Sequence, residues 1–297
     1  MLFIHFGYKP LLTNSISFDA KILYLEEKKV GQTDLMAIGS SITLNDLSSK
    51  VIKDSIAASY FNFSCWGLQI NDTKRLLISY LPKYQPKYVI ICSSLPDFTT
   101  GGNLESIENY LNTGDYFKAH FKEYFYIKNY SSFLDIVTRK QEYSKHRYST
   151  KDDYASLNFD EYGAALLDIS PANRSSERWN ETGGFPTNYT NQQYTELTSL
   201  SQLLKDNHVS LIFIQTPIRS AYINTSYCQQ IVNTHFDRCK AIVEQHGGVY
   251  LNFHDTRVFA NDAMFVDQFH LSEAGAMLFT REVAGSLKKI IQAKGLK

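Results

Sequence analysis

Leu35-Met36-Ala37-Ile38-Gly39-Ser40-Ser41 is a short apolar run broken by a glycine and closed by two serines. It reads as the first strand of an alternating α/β chain, with a serine delivered at the strand's carboxyl end. Far along the chain, Asp267-Gln268-Phe269-His270-Leu271 sets a carboxylate and an imidazole three residues apart, on the same side of one turn. A serine hydroxyl is a weak nucleophile near neutral pH and needs an imidazole within hydrogen-bond reach. The imidazole in turn needs a carboxylate on its other nitrogen to hold its tautomer and stabilise the imidazolium. Ser41, His270 and Asp267 are therefore the candidate catalytic residues.

Outward from that run, Tyr60–Trp66, Lys87–Ser93, Val209–Thr216 and Gly248–Phe253 read as further strands, each a short apolar or β-rich stretch. Asn45–Ser59, Asn71–Leu81, Gln192–Asn207, Gln229–His246 and Ser272–Lys294 read as helices. The alternation implies an α/β fold of three layers, a doubly wound parallel sheet of about five strands. Such sheets bind ligands beyond the carboxyl ends of their strands. Ser41, Gly67, Asp97 and Pro217 each follow a predicted strand, so they are expected on one rim. Arg219, just past the fourth strand, is the candidate anchor for an anionic group of a substrate.

Between the third and fourth strands, Thr99 to Tyr189 breaks the alternation for about ninety residues, too long for a structureless loop. It reads as a helical insertion, 99–189, within a single domain spanning 1–297, covering one side of the rim. The insertion is rich in Tyr and Phe, carries Arg139, Lys140, Lys145, His146, Arg147 and Lys151, and closes on Gly183-Gly184-Phe185-Pro186. Its aromatics can form a small core of their own with the basic residues solvated. Alternatively, flat rings can cover sugar faces while Arg and Lys hold carboxylate or phosphate groups.

Thirty Lys+Arg balance thirty Asp+Glu, so the net charge of +0 gives no general grip on nucleic acid. No CxxC or Cys/His cluster suggests zinc, and no cofactor motif is present. Cys65 and Cys92 sit in apolar runs and read as buried thiols; Cys228 and Cys239, eleven apart, could be bridged in an oxidising compartment. No run approaches the ~20 apolar residues of a membrane span. The abrupt apolar opening Met1-Leu2-Phe3-Ile4 suggests an anchor preceding this chain.

At these residues the chain resembles the SGNH hydrolase superfamily, also called GDSL esterases. Ile38-Gly39-Ser40-Ser41-Ile42 is similar to the first block, with Ser41 as nucleophile and Ser40 where an aspartate usually stands. Asn62-Phe63-Ser64-Cys65-Trp66-Gly67 is similar to the second, whose glycine N–H, here Gly67, donates to the oxyanion. Ser93-Ser94-Leu95-Pro96-Asp97-Phe98 occupies the third, where the family usually has Gly-x-Asn-Asp, and contains no asparagine. Asp267-Gln268-Phe269-His270 matches the final Asp-x-x-His block. The missing amide normally completes the oxyanion hole, and Asp97 cannot donate unless protonated. An Asp97→Asn change is therefore expected to speed ester hydrolysis.

These departures move the resemblance toward envelope SGNH proteins that work beside membrane-bound O-acyltransferases on polysaccharides. The resemblance implies serine-dependent acyl transfer to or from an envelope or periplasmic glycan, as an O-acetyltransferase or an acetylesterase, with a membrane-bound O-acyltransferase as partner. Two other readings remain: an inactive fold that binds glycan or a partner, and a lipid esterase. His254-Asp255, after another predicted strand, is a competing pair that a solvated loop explains. Ser272 and Glu273 fit a helix entry after the Asp-x-x-His block.

Overall fold

The computed structural model of the 297-residue chain describes residues 13–99, 104, 138, 141–180, 190–254 and 257–293. Five strands, β1 (Leu35–Ala37), β2 (Tyr60–Asn62), β3 (Tyr88–Ser93), β4 (Ser210–Gln215) and β5 (Val249–Asn252), form one parallel sheet in the order β2-β1-β3-β4-β5. Successive strand side chains point to opposite faces, and here both faces are apolar. Met36, Phe61, Val89 and Phe213 enter one buried cluster, whereas Leu35, Tyr60, Ile90 and Ile212 enter another. A strand buried on both sides must read as a continuous apolar run, which is why these segments lack polar alternation. The first face is covered by α1 (Ile16–Glu27), α4 (Ile70–Tyr84) and α6 (Asn191–Asp206). The second is covered by α2 (Ser41–Asp46), α3 (Ser49–Ser55) and α8 (Glu273–Ala293), while α7 (Ser226–Gln245) contributes to both clusters.

The chain runs from β1 outward to β2, then returns past β1 to β3. The order therefore reverses between β1 and β3, and the crevice for a ligand opens there. Gly39 makes the exit from β1 possible. Its φ is +153°, and a Cβ there would lie 2.5 Å from Thr43 Oγ1. That Thr43 hydroxyl donates to Cys92 O at 2.6 Å and accepts from Cys92 N–H at 3.1 Å, so the start of α2 is locked to β3.

The strands stop short of the sequence expectation at several ends because the chain turns into the rim. The expected helix Asn45–Ser59 is two helices. Leu47 leaves the helical region at φ −102°, ψ 102°. Ser48 then caps α3, its Oγ accepting from Val51 N–H, and its own N–H donates to Thr280 Oγ1 on α8 at 2.8 Å. Helix α1 was not among the expected helices, although Ser15 caps it by accepting from Phe18 N–H at 3.3 Å.

Within the expected insertion, residues 100–103, 105–137, 139–140 and 181–189 lie outside the described residues, including Arg139, Lys140 and the Gly183–Pro186 run. The described part holds one helical stretch at 141–147 and the short α5 (Ser176–Asn180), joined by turns and loop. Its backbone docks on the edge strand, where Asn62 N–H donates to Tyr162 O at 2.8 Å, and on α2, where Ala165 N–H donates to Leu44 O at 3.1 Å. An exposed edge is thereby covered. The buried Lys21 of α1 pins the same corner, donating to Asn62 O at 2.9 Å and to Gly163 O. Among the described residues the basic side chains do not form one face: Arg147 lies over Tyr24 at 4.8 Å, Lys151 pairs with Glu273, and Lys145 is exposed.

All four cysteines are free and buried. The Cys228–Cys239 bridge is excluded by α7 itself, because eleven residues of helix separate the pair by about 16 Å, far beyond disulfide reach. No helix among the described residues is long and apolar enough to cross a membrane.

Candidate active site

Ser40 is the N-cap of α2, its hydroxyl accepting from Ile42 N–H at 3.1 Å, so Ser41 is the first helical residue. Its N–H is one of the donors that an α-helix leaves unsatisfied at its start. Ser41 Oγ lies 2.9 Å from His270 Nε2 across 229 residues of chain. His270 Nδ1 lies 2.9 Å from Asp267 Oδ2 and 3.1 Å from Oδ1. Asp267 Oδ1 also accepts from the backbone N–H groups of Phe269 and His270, at 2.9 and 2.7 Å. The three-residue spacing is thus a tight turn in which the carboxylate folds back onto its own backbone and the ring. Val266 N–H donates to His270 O at 2.9 Å, and Phe265 bridges Leu271 antiparallel, closing that turn before α8. Ser272 Oγ caps α8 by accepting from Gly275 N–H.

Burial works to raise the Asp267 carboxyl, but the charge and hydrogen bond of His270, with the two backbone N–H groups, outweigh it and hold the pKa below the ordinary value. Burial likewise opposes the imidazolium of His270. The charge and hydrogen bond of Asp267, aided by Asp46, overcome it and raise His270 from 6.5 to about 9. The pair is therefore built to stabilise a protonated imidazole facing Ser41.

The remaining sequence candidates divide. Gly67 lies exposed on the loop from β2 to α4 at φ +68°, and that loop is tied to the exit from β1 by Cys65 N–H donating to Gly39 O at 3.1 Å. Asp97 does not aim a side chain into open space. Its Oδ2 accepts from Ser93 Oγ at 2.8 Å and Ser94 N–H at 3.2 Å, and its carboxyl also accepts from Ser40. Asp97 thus couples the end of β3 to the cap beside Ser41. Arg219 is corrected: it is 7% exposed and its guanidinium is engaged, donating to Asp262 Oδ2 at 2.8 Å and Trp179 O at 2.6 Å while stacking on the Trp179 ring at 3.7 Å. An arginine so neutralised is a brace for the rim, and its N–H to Gln268 O bond at 3.0 Å holds the loop of Asp267. His254, of the competing pair, accepts from Ile218 N–H at 3.2 Å; Asp255 lies outside the described residues.

Three rim residues were not among the sequence candidates. Arg178 of α5 is 52% exposed and its Nη1 stands 3.8 Å from Asp267 Oδ2, with its guanidinium over Tyr154 at 4.5 Å. Tyr154 donates to Val266 O at 2.6 Å. Asp46, at the end of α2, is buried against the histidine segment. Arg178 sits in an Arg-rich tract, Arg174-Ser175-Ser176-Glu177-Arg178-Trp179, whose composition was the available signal. Among the described residues no group of His, Cys, Asp and Glu could hold a metal ion.

No family model matches this sequence, and no curated protein matches it. Solved structures do align with it. A proposed acylhydrolase from Bacteroides fragilis aligns at 12% identity over 92% of this chain and 98% of its own, with a TM-score of 0.49. The psychrotrophic esterase EstA from a Pseudoalteromonas species aligns at 14% identity over 87% and 99%, at 0.46. A catalytic mutant of Axe2, an acetylxylan esterase from Geobacillus stearothermophilus, aligns at 14% identity over 91% and 97%, at 0.44. The five-stranded parallel sheet and the geometry of the site are read from this chain's own structure.

Proposed function

We propose that this chain is a serine-dependent acyl-transfer enzyme acting on an acylated polysaccharide of the cell envelope, as an acetylesterase or an O-acetyltransferase. The observation that carries the reading is the continuous path Ser41 Oγ–His270 Nε2 at 2.9 Å and His270 Nδ1–Asp267 Oδ2 at 2.9 Å. In this reading His270 Nε2 takes the Ser41 proton as Oγ attacks the ester carbonyl, and Asp267 holds the tautomer and balances the imidazolium. Backbone N–H groups of Ser41 and Gly67 receive the oxyanion. Collapse of the tetrahedral intermediate breaks the ester bond, with His270 returning the proton to the departing alkoxide. The acyl-serine is then resolved by water, giving an esterase, or by a sugar hydroxyl, giving a transferase. In the second case a membrane-bound O-acyltransferase would supply the acyl donor.

Short acyl groups suit the site's polar rim of Arg178, Tyr154 and Ser41, since each methylene of a longer chain gains about 0.8 kcal/mol only where apolar surface buries it. The test is hydrolysis of p-nitrophenyl esters from acetyl to palmitoyl, with Ser41→Ala as the control. Rates should fall with chain length and vanish in Ser41→Ala. A maximum at long acyl chains would point to a lipid esterase, and no turnover of any ester with retained glycan binding would point to a binding module.

A further inference from the structure

Beside the three residues of the proposed triad, a buried carboxyl lies within the electrostatic reach of His270 and takes no part in the steps given above. Asp46 ends α2, the helix that Ser41 begins, and is fully buried. Its Oδ1 accepts from the N–H of Leu271, the residue after His270, at 2.9 Å. Its Oδ2 has no hydrogen-bond partner among the described residues. Helix α2 is therefore fastened to the histidine segment at both ends, through Ser41 Oγ to His270 Nε2 at 2.9 Å and through Asp46 to Leu271. Thr280 of α8 packs at the same point, its hydroxyl oxygen 3.4 Å from Asp46 O while it donates to Ala276 O at 2.7 Å.

A buried carboxyl with one bare oxygen is costly, and an amide would accept the Leu271 N–H equally well, so the hydrogen bond alone does not explain a carboxyl here. The titratable groups acting on it are His270 and Asp267 from the turn before α8 and Asp97 from the segment after β3. The Cys92 thiol of β3 also lies within its field. Of these, His270 alone can be cationic.

We propose that Asp46 is a positioning residue for acyl transfer, seating His270 against the nucleophile helix and adding a second negative charge that favours the imidazolium formed as Ser41 attacks. This role rests on the triad reading given above. Burial raises the Asp46 carboxyl from 3.8 to about 8, against the opposing pull of the His270 charge and the Leu271 N–H. Asp46 and His270 consequently titrate as a coupled pair. Removing the Asp46 charge weakens the hold of His270 on its proton.

The test reads His270 directly, by NMR titration of its ring Cε1–H in the full chain, with the signal assigned through His270→Gln. In Asp46→Asn the His270 midpoint should fall by about one pH unit, a tenfold change in proton affinity. Asp46→Ser, which also removes the charge, should shift it the same way and covers the case in which the asparagine variant fails to fold. The rising limb of kcat/KM for p-nitrophenyl acetate should move by the same amount. A packing role would lower rates at every pH and leave the midpoint in place. An unmoved His270 midpoint in a folded charge-removing variant overturns the proposal. Ser41→Ala in the same ester assay separates the levels: full activity there would remove the triad reading and the role of Asp46 with it. An inactive Ser41→Ala beside an unmoved midpoint removes the role of Asp46 alone.

Discussion

Asp97→Asn removes one buried charge at nearly constant shape, and its effect can be worked from the contacts of that carboxyl. Burial raises Asp97 from 3.8 to about 6, with Ser40, Ser93, the Ser94 N–H and the His270 charge working against the rise. The folded pKa exceeds the unfolded one, so the folded protein holds this proton more tightly. The wild-type stability that follows is fully present below pH ~3.8 and lost as the pH rises through about 6. A rise of about two units corresponds to about 3 kcal/mol. Asparagine carries no such proton. Its carbonyl can take the Ser93 and Ser94 donors, which share Oδ2 in the wild type, and its amide can donate to Ser40 Oγ. The stability of the variant relative to wild type should therefore grow by up to about 3 kcal/mol between pH 4 and pH 7. Urea unfolding followed by circular dichroism at half-unit steps measures that difference. A difference that stays flat, or shrinks as the pH rises, would refute the reasoning. The same variant addresses the oxyanion hole. The sequence suggested that an amide at position 97 would speed hydrolysis, but the carboxyl's contacts direct it toward Ser40, so the rate should not rise. A gain of about 10²-fold would show that the amide reaches the substrate after all.

Because only neutral imidazole can take the Ser41 proton, and His270 is raised to about 9, kcat/KM for short esters should climb through pH 9; a plateau already reached at pH 7 contradicts this. Gly163 has φ +89°, and a Cβ there would lie 2.5 Å from Asn62 O and 2.7 Å from Phe61 Cε1. Gly163→Ala should thus cost roughly 2 kcal/mol or more, seen as a lowered Tm, and an unchanged melting curve would show that the loop over β2 yields freely. With Arg219 engaged by Asp262, Arg178 is an exposed cation beside Asp267 of the proposed triad. Arg178→Ala should raise KM about tenfold for esters carrying a nearby carboxylate or phosphate, with neutral p-nitrophenyl acetate scarcely affected; equal losses on both would assign Arg178 to supporting Asp267.

Much of the fold was legible because its signals are local. Runs such as Tyr88–Ser93 and Ser210–Gln215 are apolar throughout because both faces of the sheet are covered, and that requirement is written residue by residue. Ser272 announced the entry into α8 for the same reason: a cap acts on the first turn that follows it. The turn at Asp267 and His270 was also readable, since a carboxylate can reach an imidazole three residues on without help from the rest of the chain.

Tertiary structure alone decided the rest. That Ser41 meets His270 at 2.9 Å depends on the return of the chain past β1 and on α8 bringing its preceding turn to the rim. Whether an arginine is free or spent depends on neighbours from distant segments, and Asp262 and Trp179 took Arg219 out of the candidate set while Arg178 entered it. The break at Leu47 follows from Thr280 holding Ser48 across 232 residues, and no pattern near Leu47 records that partner. Asp46 shows the limit most plainly. In sequence it is one acidic residue at a helix end, and its meaning comes from total burial beside His270, a quantity set by packing around it and by nothing in its own segment.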